Sequence, residues 1–128
     1  MIERPLRDAA FARVVQQAYD TTCSVTGLKI INGLGRAEVQ AAHIRPVKDH
    51  GPDSVRNGWA LSATVHWMFD RGLVSIGDLP DYPILQASRG LADDVVRLFN
   101  PDRRLRRPVD RRFWPAPQYL KFHREATR

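Results

Sequence analysis

Three short stretches hold the polar residues most able to do chemistry: AAHIRP with His43, VRNGWAL with Asn57, and VHWMFDRG with His66 and Asp70. Histidine titrates near neutrality, so His43 and His66 are the side chains best suited to moving a proton at physiological pH. His66 and Asp70 are four residues apart, which on a helix stacks them on one face. Trp67, Met68 and Phe69, between them, read as core. Taken alone, the pair has an ordinary explanation, an ion pair beside the core, since opposite partners at this spacing are common. Asn57 precedes Gly58, and Asn-Gly is by itself a frequent turn signal. Each residue therefore has a purely structural reading, and only their arrangement along the chain argues for a site.

The elements that would carry these side chains follow from periodicity and turn residues. Residues 8–20, DAAFARVVQQAYD, place Phe11, Val14, Val15, Ala18 and Tyr19 at helical spacing, which predicts an amphipathic core helix capped by Asp8. Glycines 27, 33 and 35 break the β-leaning CSVTGLKIINGLGRAEVQAAHIRP into a strand, a loop and a second strand over about 38–44, ended by Pro46. Cys23 opens the first of these strands as a small packing residue. VKDHGPDSVRNG is polar and rich in turn residues, a loop long enough to suggest function. WALS reads as a brief return strand, with Ser62 capping a helix that starts at Ala63 and stops at Gly72. LVSIG and YPILQAS form a hairpin around GDLPD, residues 91–99 a short helix, and PQYLKFHREATR a terminal helix. The expected class is α+β, in one domain over 1–128.

Charge adds a second theme. The net is +6 over 128 residues, and residues 97–112 alone carry +5, from seven arginines against Asp102 and Asp110. Arginine offers forked donors and keeps its proton, which suits phosphate oxygens; a solvated basic surface is the plain alternative. Prolines 101, 108, 115 and 117 argue for an extended strip rather than a basic helix. No apolar run approaches the roughly 20 residues of a membrane-spanning helix. The charged start, MIERPLRDAAF, lacks the apolar core of an export signal, and a single cysteine allows no internal disulfide or paired-cysteine zinc site. A cytoplasmic location is expected. His50 reads as a solvated loop histidine, His123 as packed or solvent-facing, and Trp59 and Trp67 as core.

Strand, loop, strand and helix bearing histidine, asparagine and histidine in that order resemble the HNH endonuclease family, in the branch found in predicted restriction endonucleases. CSVTG, AAHIRPV, NGWALS, HWMFDRG and LVSI carry the likeness from Cys23 to Ile76, with a weaker echo in YLKFHR. The resemblance implies a ββα-metal (His-Me finger) core over about 38–72, in which two antiparallel strands and a helix grip one divalent cation. A flanking N-terminal helix, an additional β-hairpin and a C-terminal helix would surround it, with a basic extension over about 97–128. The implied activity is metal-dependent DNA endonuclease, related to restriction or defence. His43, Asn57 and His66 would be the catalytic set: His43 activates the water, Asn57 holds the loop and the base, and His66 with Asp70 supplies a nitrogen and an oxygen ligand. Cleavage would leave 5′-phosphate and 3′-hydroxyl ends. Magnesium (Mg2+) is the expected ion, with Mn2+, Ni2+ or Zn2+ admitted by histidine ligation.

One position departs from the pattern. Many family members place an aspartate or histidine ligand immediately before the base, and here that residue is Ala42. Waters and DNA phosphate can complete the shell, which magnesium tolerates. Alternatively Gln40, on the same strand face, contributes its carbonyl oxygen directly or through water, or the site binds metal too poorly to turn over. The last case keeps a rival open, a non-catalytic nucleic-acid-binding module on a degenerate HNH scaffold. Arg45, Lys48 and Arg71 near the site, and Arg103, Arg104, Arg106 and Arg107 in the basic strip, are the expected contacts to double-stranded DNA, giving affinity without sequence choice. No segment reads as a recognition helix. A homodimer or a separate targeting domain is therefore an open partner.

Overall fold

The computed structural model describes residues 3–87 and 90–126. Ser88, at the end of the expected hairpin, and Thr127 and Arg128, at the end of the expected last helix, lie outside them. Helix α1 (Glu3–Ala18) begins before Asp8, because Pro5 is tolerated in a first turn whose N–H groups have no helical partner anyway. Asp8, expected as the cap, instead lies inside the helix and pairs with Arg4 one turn back. Phe11, Val15 and Tyr19 form the buried stripe, while Val14 is 45% exposed.

Residues 24–37 differ from the expected strand. They form turns and irregular chain with one isolated bridge, Ile31 to Ala37. Some of their backbone bonds close locally, Cys23 to Leu28, Asn32 to Arg36 and Glu38 to Ile30, while Ser24 and Val25 make single bonds to Ala60, Arg106 and Asn100, so no ladder develops. Cys23 is fully buried as a packing residue but does not open a strand.

Strands β1 (Gln40–His43) and β2 (Gly58–Leu61) pair antiparallel, with Gln40 opposite Leu61 and His43 opposite Gly58. A Cβ on Gly58 would lie 2.6 Å from Val15 and 2.8 Å from Phe11. The missing side chain is what lets α1 lie close against the end of the sheet that carries His43. The Tyr19 hydroxyl donates to the Gly58 carbonyl at 3.1 Å and fixes that contact.

Helix α2 (Ala63–Asp70) follows β2 directly. Ser62 sits at the capping position but its side chain makes no capping bond. Glu38 takes over, its carboxylate accepting the Ala63 N–H at 2.9 Å. Val65, Met68 and Phe69 are the buried face. Trp67, expected as core, is 52% exposed, because two residues beyond Val65 the helix has turned about 200° away from the core. Trp59 is 1% exposed, as expected.

Strands β3 (Val74–Ile76) and β4 (Ile84–Gln86) form the second hairpin. Helix α3 (Asp93–Val96) is shorter than the 91–99 expected. The arginine segment is irregular chain as far as a single 3-10 turn at Arg111–Phe113, in keeping with its prolines. Helix α4 (Pro117–Ala126) then buries Leu120 and His123. The architecture is α+β. No described helix is long and apolar enough to cross a membrane.

Candidate active site

A cavity of about 450 Å³ is lined by Ala42 and His43 from β1, His66 and Asp70 from α2, His123 from α4, and Lys48 from the loop after β1. A larger hollow of about 640 Å³ beside Gln16, Asn32 and Arg36 contains neither His43 nor His66. The β1–β2–α2 unit thus brings the two motif histidines, 23 positions apart, to one wall-to-wall space.

His43 is held on two sides. Its Nε2 lies 2.9 Å from Asp53 Oδ1, and its ring stacks on Phe11 with centroids 3.9 Å apart and planes within 5°. Asp53 is gripped in turn by Arg4, through both carboxylate oxygens at 2.9 Å each. The Arg4 guanidinium first, and the His43 contact second, hold the Asp53 carboxyl below the usual carboxylate range.

Asn57 is completely buried at the end of a 3-10 turn leading into β2. Its Oδ1 accepts the Arg45 N–H at 2.8 Å. Its Nδ2 donates to the Arg45 carbonyl at 3.1 Å and to the Pro52 carbonyl at 2.9 Å. One amide therefore ties together the start, the middle and the end of the loop between His43 and β2, and its last bond falls one residue before Asp53.

His66 and Asp70 project from α2 as the helical spacing requires, with His66 Nε2 3.6 Å from Asp70 Oδ2. The other ring nitrogen, Nδ1, is 2.6 Å from Gln40 Oε1. An amide oxygen can only accept, so Nδ1 carries hydrogen, and in the neutral ring Nε2 then presents its lone pair toward Asp70. This is the tautomer a metal-binding imidazole needs, with the outward N–H fixed by a neighbouring oxygen. Adjacent donors bound at about 2.1 Å to one octahedral ion lie about 3.0 Å apart, so the pair, at 3.6 Å, reaches a shared cation once the exposed Asp70 side chain closes in slightly. Among the described residues no group of three or more His, Cys, Asp or Glu side chains gathers as a metal cage. The donor set fits a hard ion that keeps most of its waters, and does not fit a closed four-ligand zinc site.

A family model described as HNH endonuclease matches residues 23–77, the span containing His43, Asn57, His66 and Asp70. Residues 23–77 belong to the HNH endonuclease family. Among solved structures, a "Modification dependent TagI restriction endonuclease" superposes on 92% of the chain with a TM-score of 0.69 and 27% identity. The chain spans 37% of that protein's length. No curated protein sequence matches the chain.

Around this HNH segment the remaining candidates sort by contact. Gln40 is engaged by His66 through the oxygen it would offer a metal, so it stands behind the ligand position. Arg45 donates its Nε–H to the Asp49 carbonyl at 2.6 Å and lies 4.5 Å over the Phe122 ring, bracing the loop. Lys48 is exposed at the cavity wall. Arg71 turns away from Asp70 to cover the exposed Trp67 ring at 4.0 Å. In the basic strip, Arg103, Arg106 and Arg107 each give a guanidinium N–H to a backbone carbonyl, of Phe99, Tyr19 and Pro80 respectively. Arg104, Arg106 and Arg107 line a separate groove of about 620 Å³ with Trp114, not the HNH cavity. His50 is exposed in a left-handed turn, as a solvated loop residue. His123 is packed: its Nε2 donates to the Phe69 carbonyl at 2.9 Å, and burial pushes its imidazole below the ordinary histidine value.

Asp53 and Arg4 escaped the sequence reading, and Phe11 was read only as a core residue of the first helix, without its contact to His43. An aspartate in GPDS is an ordinary turn residue, and Arg4 is 49 positions from it. The available signal was the placement of a carboxylate between the HNH histidine and asparagine.

Proposed function

We propose that this chain is a metal-dependent endonuclease acting on double-stranded DNA, with a restriction or defence role. The observation that carries the reading is the cavity in which His43 faces a nitrogen–oxygen pair, His66 and Asp70, whose tautomer is set for ligation by Gln40. His43 takes a proton from the attacking water, hydroxide adds to phosphorus, and the bond from phosphorus to the 3′-oxygen breaks. The phosphate stays on the 5′ side, and the departing oxygen gains its proton from solvent. When bound, the cation supplies Lewis-acid stabilisation of charge on the phosphate and the leaving oxygen. Asn57 keeps the loop and the base in register, and Lys48 draws the backbone toward the cavity. Magnesium suits two protein ligands best, since water and phosphate fill its other positions. Likeness to a restriction endonuclease over part of that enzyme's length supports the defence role, and a second copy or a separate targeting domain as partner.

Ala42 favours a second reading, a DNA-binding module without turnover, because the ligand position before the base offers no donor. Incubating supercoiled plasmid with the protein and magnesium or manganese separates the two. Nicks that disappear with EDTA and can be resealed by DNA ligase support the nuclease and its 5′-phosphate, 3′-hydroxyl ends. DNA binding without cleavage in any of these metals sinks it in favour of the module.

A further inference from the structure

A base that takes a proton through one ring nitrogen needs the other nitrogen settled, or the ring samples the wrong tautomer and orientation. His43 Nε2 faces an ionised carboxylate oxygen at 2.9 Å, and a carboxylate only accepts. Nε2 therefore carries hydrogen, and in the neutral ring this leaves Nδ1 with the lone pair. Nδ1 has no partner among the described residues and is not sealed from solvent. The Phe11 stack fixes the ring plane, so the direction of that lone pair is fixed with it.

We propose that Asp53, locked by Arg4, is the positioning residue of the His43 base, and that α1 is thereby part of the nuclease machinery. The inference rests on the reading of His43 as base. The geometry is over-determined in a way an incidental ion pair is not. Arg4 binds both oxygens of Asp53 in a forked contact, so the carboxylate cannot rotate away from His43. Asn57 holds the preceding carbonyl, of Pro52, so the backbone cannot carry Asp53 away either. Asp53 also lies where an imidazolium, formed once Nδ1 has taken the water's proton, would be stabilised. Arg4 and Phe11 come from a helix that the HNH family match, residues 23–77, does not include. The buried asparagine then acts at a distance: it sets the loop, the loop sets Asp53, and Asp53 sets the base.

The test compares the native full chain with Asp53→Ala, Arg4→Met and His43→Ala. In the metal-free protein, the His43 Nε2–H proton is expected as a slowly exchanging resonance in the NMR spectrum, lost in Asp53→Ala and exchanging faster in Arg4→Met. With magnesium, Asp53→Ala is expected to lower kcat on plasmid DNA by about 100-fold with KM little changed, and Arg4→Met to lower it by a smaller factor. A His43 ring proton and a turnover unaltered in both variants would overturn the proposal. If Asp53→Ala fails to fold, Arg4→Met decides by the same two readouts. His43→Ala keeps the two failures apart. If it cleaves like the native chain, the base assignment falls; if it is inactive while Asp53→Ala and Arg4→Met are fully active, only the role of Asp53 falls.

Discussion

At the residue scale, the Gln40 amide decides what His66 can be. By accepting from Nδ1 it commits Nε2 to the cavity side, where Asp70 waits 3.6 Å away. Gln40→Leu is expected to weaken Mn2+ binding by 10–100-fold, the usual cost of losing the group that orients a ligating histidine, in an electron paramagnetic resonance titration. Asp70→Ala should weaken it further, and because the Asp70 side chain is 64% exposed its far-ultraviolet circular dichroism should stay native. Unaltered manganese binding in both variants would refute the ligand assignment. His123 behaves differently: its folded pKa is depressed by burial, so the unfolded chain binds that proton more readily. Its contribution is complete above the ordinary value of 6.5 and is lost as pH falls toward the folded value. Melting temperature should therefore drop between about pH 7.5 and pH 5, and less so in His123→Gln. His43, Asn57, His66 and Asp70 could be proposed from the sequence because each stands in a short motif with turn or helix signals around it. Asp53 could not, since its meaning depends on Arg4, which the folded chain alone brings near.

At the element scale, the loop between β1 and β2 is held by one buried amide. Asn57→Ala leaves the Arg45 N–H and the carbonyls of Arg45 and Pro52 unsatisfied, at a cost of roughly 2 kcal/mol or more. Denaturant unfolding should show that loss, and the Arg45 amide should exchange with deuterium faster than in the native chain; an unchanged exchange rate would contradict the staple. Helices α2 and α4 were legible from spacing and stop residues. The buried stripe of α1 was legible too, although its start was misplaced because an acceptable cap at Asp8 lay one turn inside the helix. Residues 24–37 look like a strand in composition, but a strand needs one continuous partner edge, and theirs bond partly among themselves and partly through single bonds to Ala60, Asn100 and Arg106. Eight residues of α2 are too few for periodicity to tell an exposed tryptophan from a buried one, which is why Trp67 was misassigned.

At the scale of the molecule, the HNH segment is not self-sufficient. Phe11 and Val15 of α1, Tyr19 just after it and Leu120 of α4 belong to the same core as Trp59, Leu61 and Phe69. A fragment limited to residues 23–77 should therefore lack a cooperative thermal transition by circular dichroism, while the full chain shows one. The basic strip plays two parts. Several of its arginines already cap backbone carbonyls, yet a guanidinium has five N–H donors and keeps others for phosphate. DNA affinity should fall by roughly tenfold or more between 50 and 200 mM salt if three or more phosphates are contacted. Salt-independent binding would leave the strip as structure alone.

Supercoiled-plasmid cleavage in magnesium, with native chain beside His43→Ala and an EDTA control, tests the central claim most directly. Metal-dependent nicking or linearisation by the native chain, reduced by orders of magnitude in His43→Ala, is the predicted result. Equal cleavage by the two proteins would contradict it.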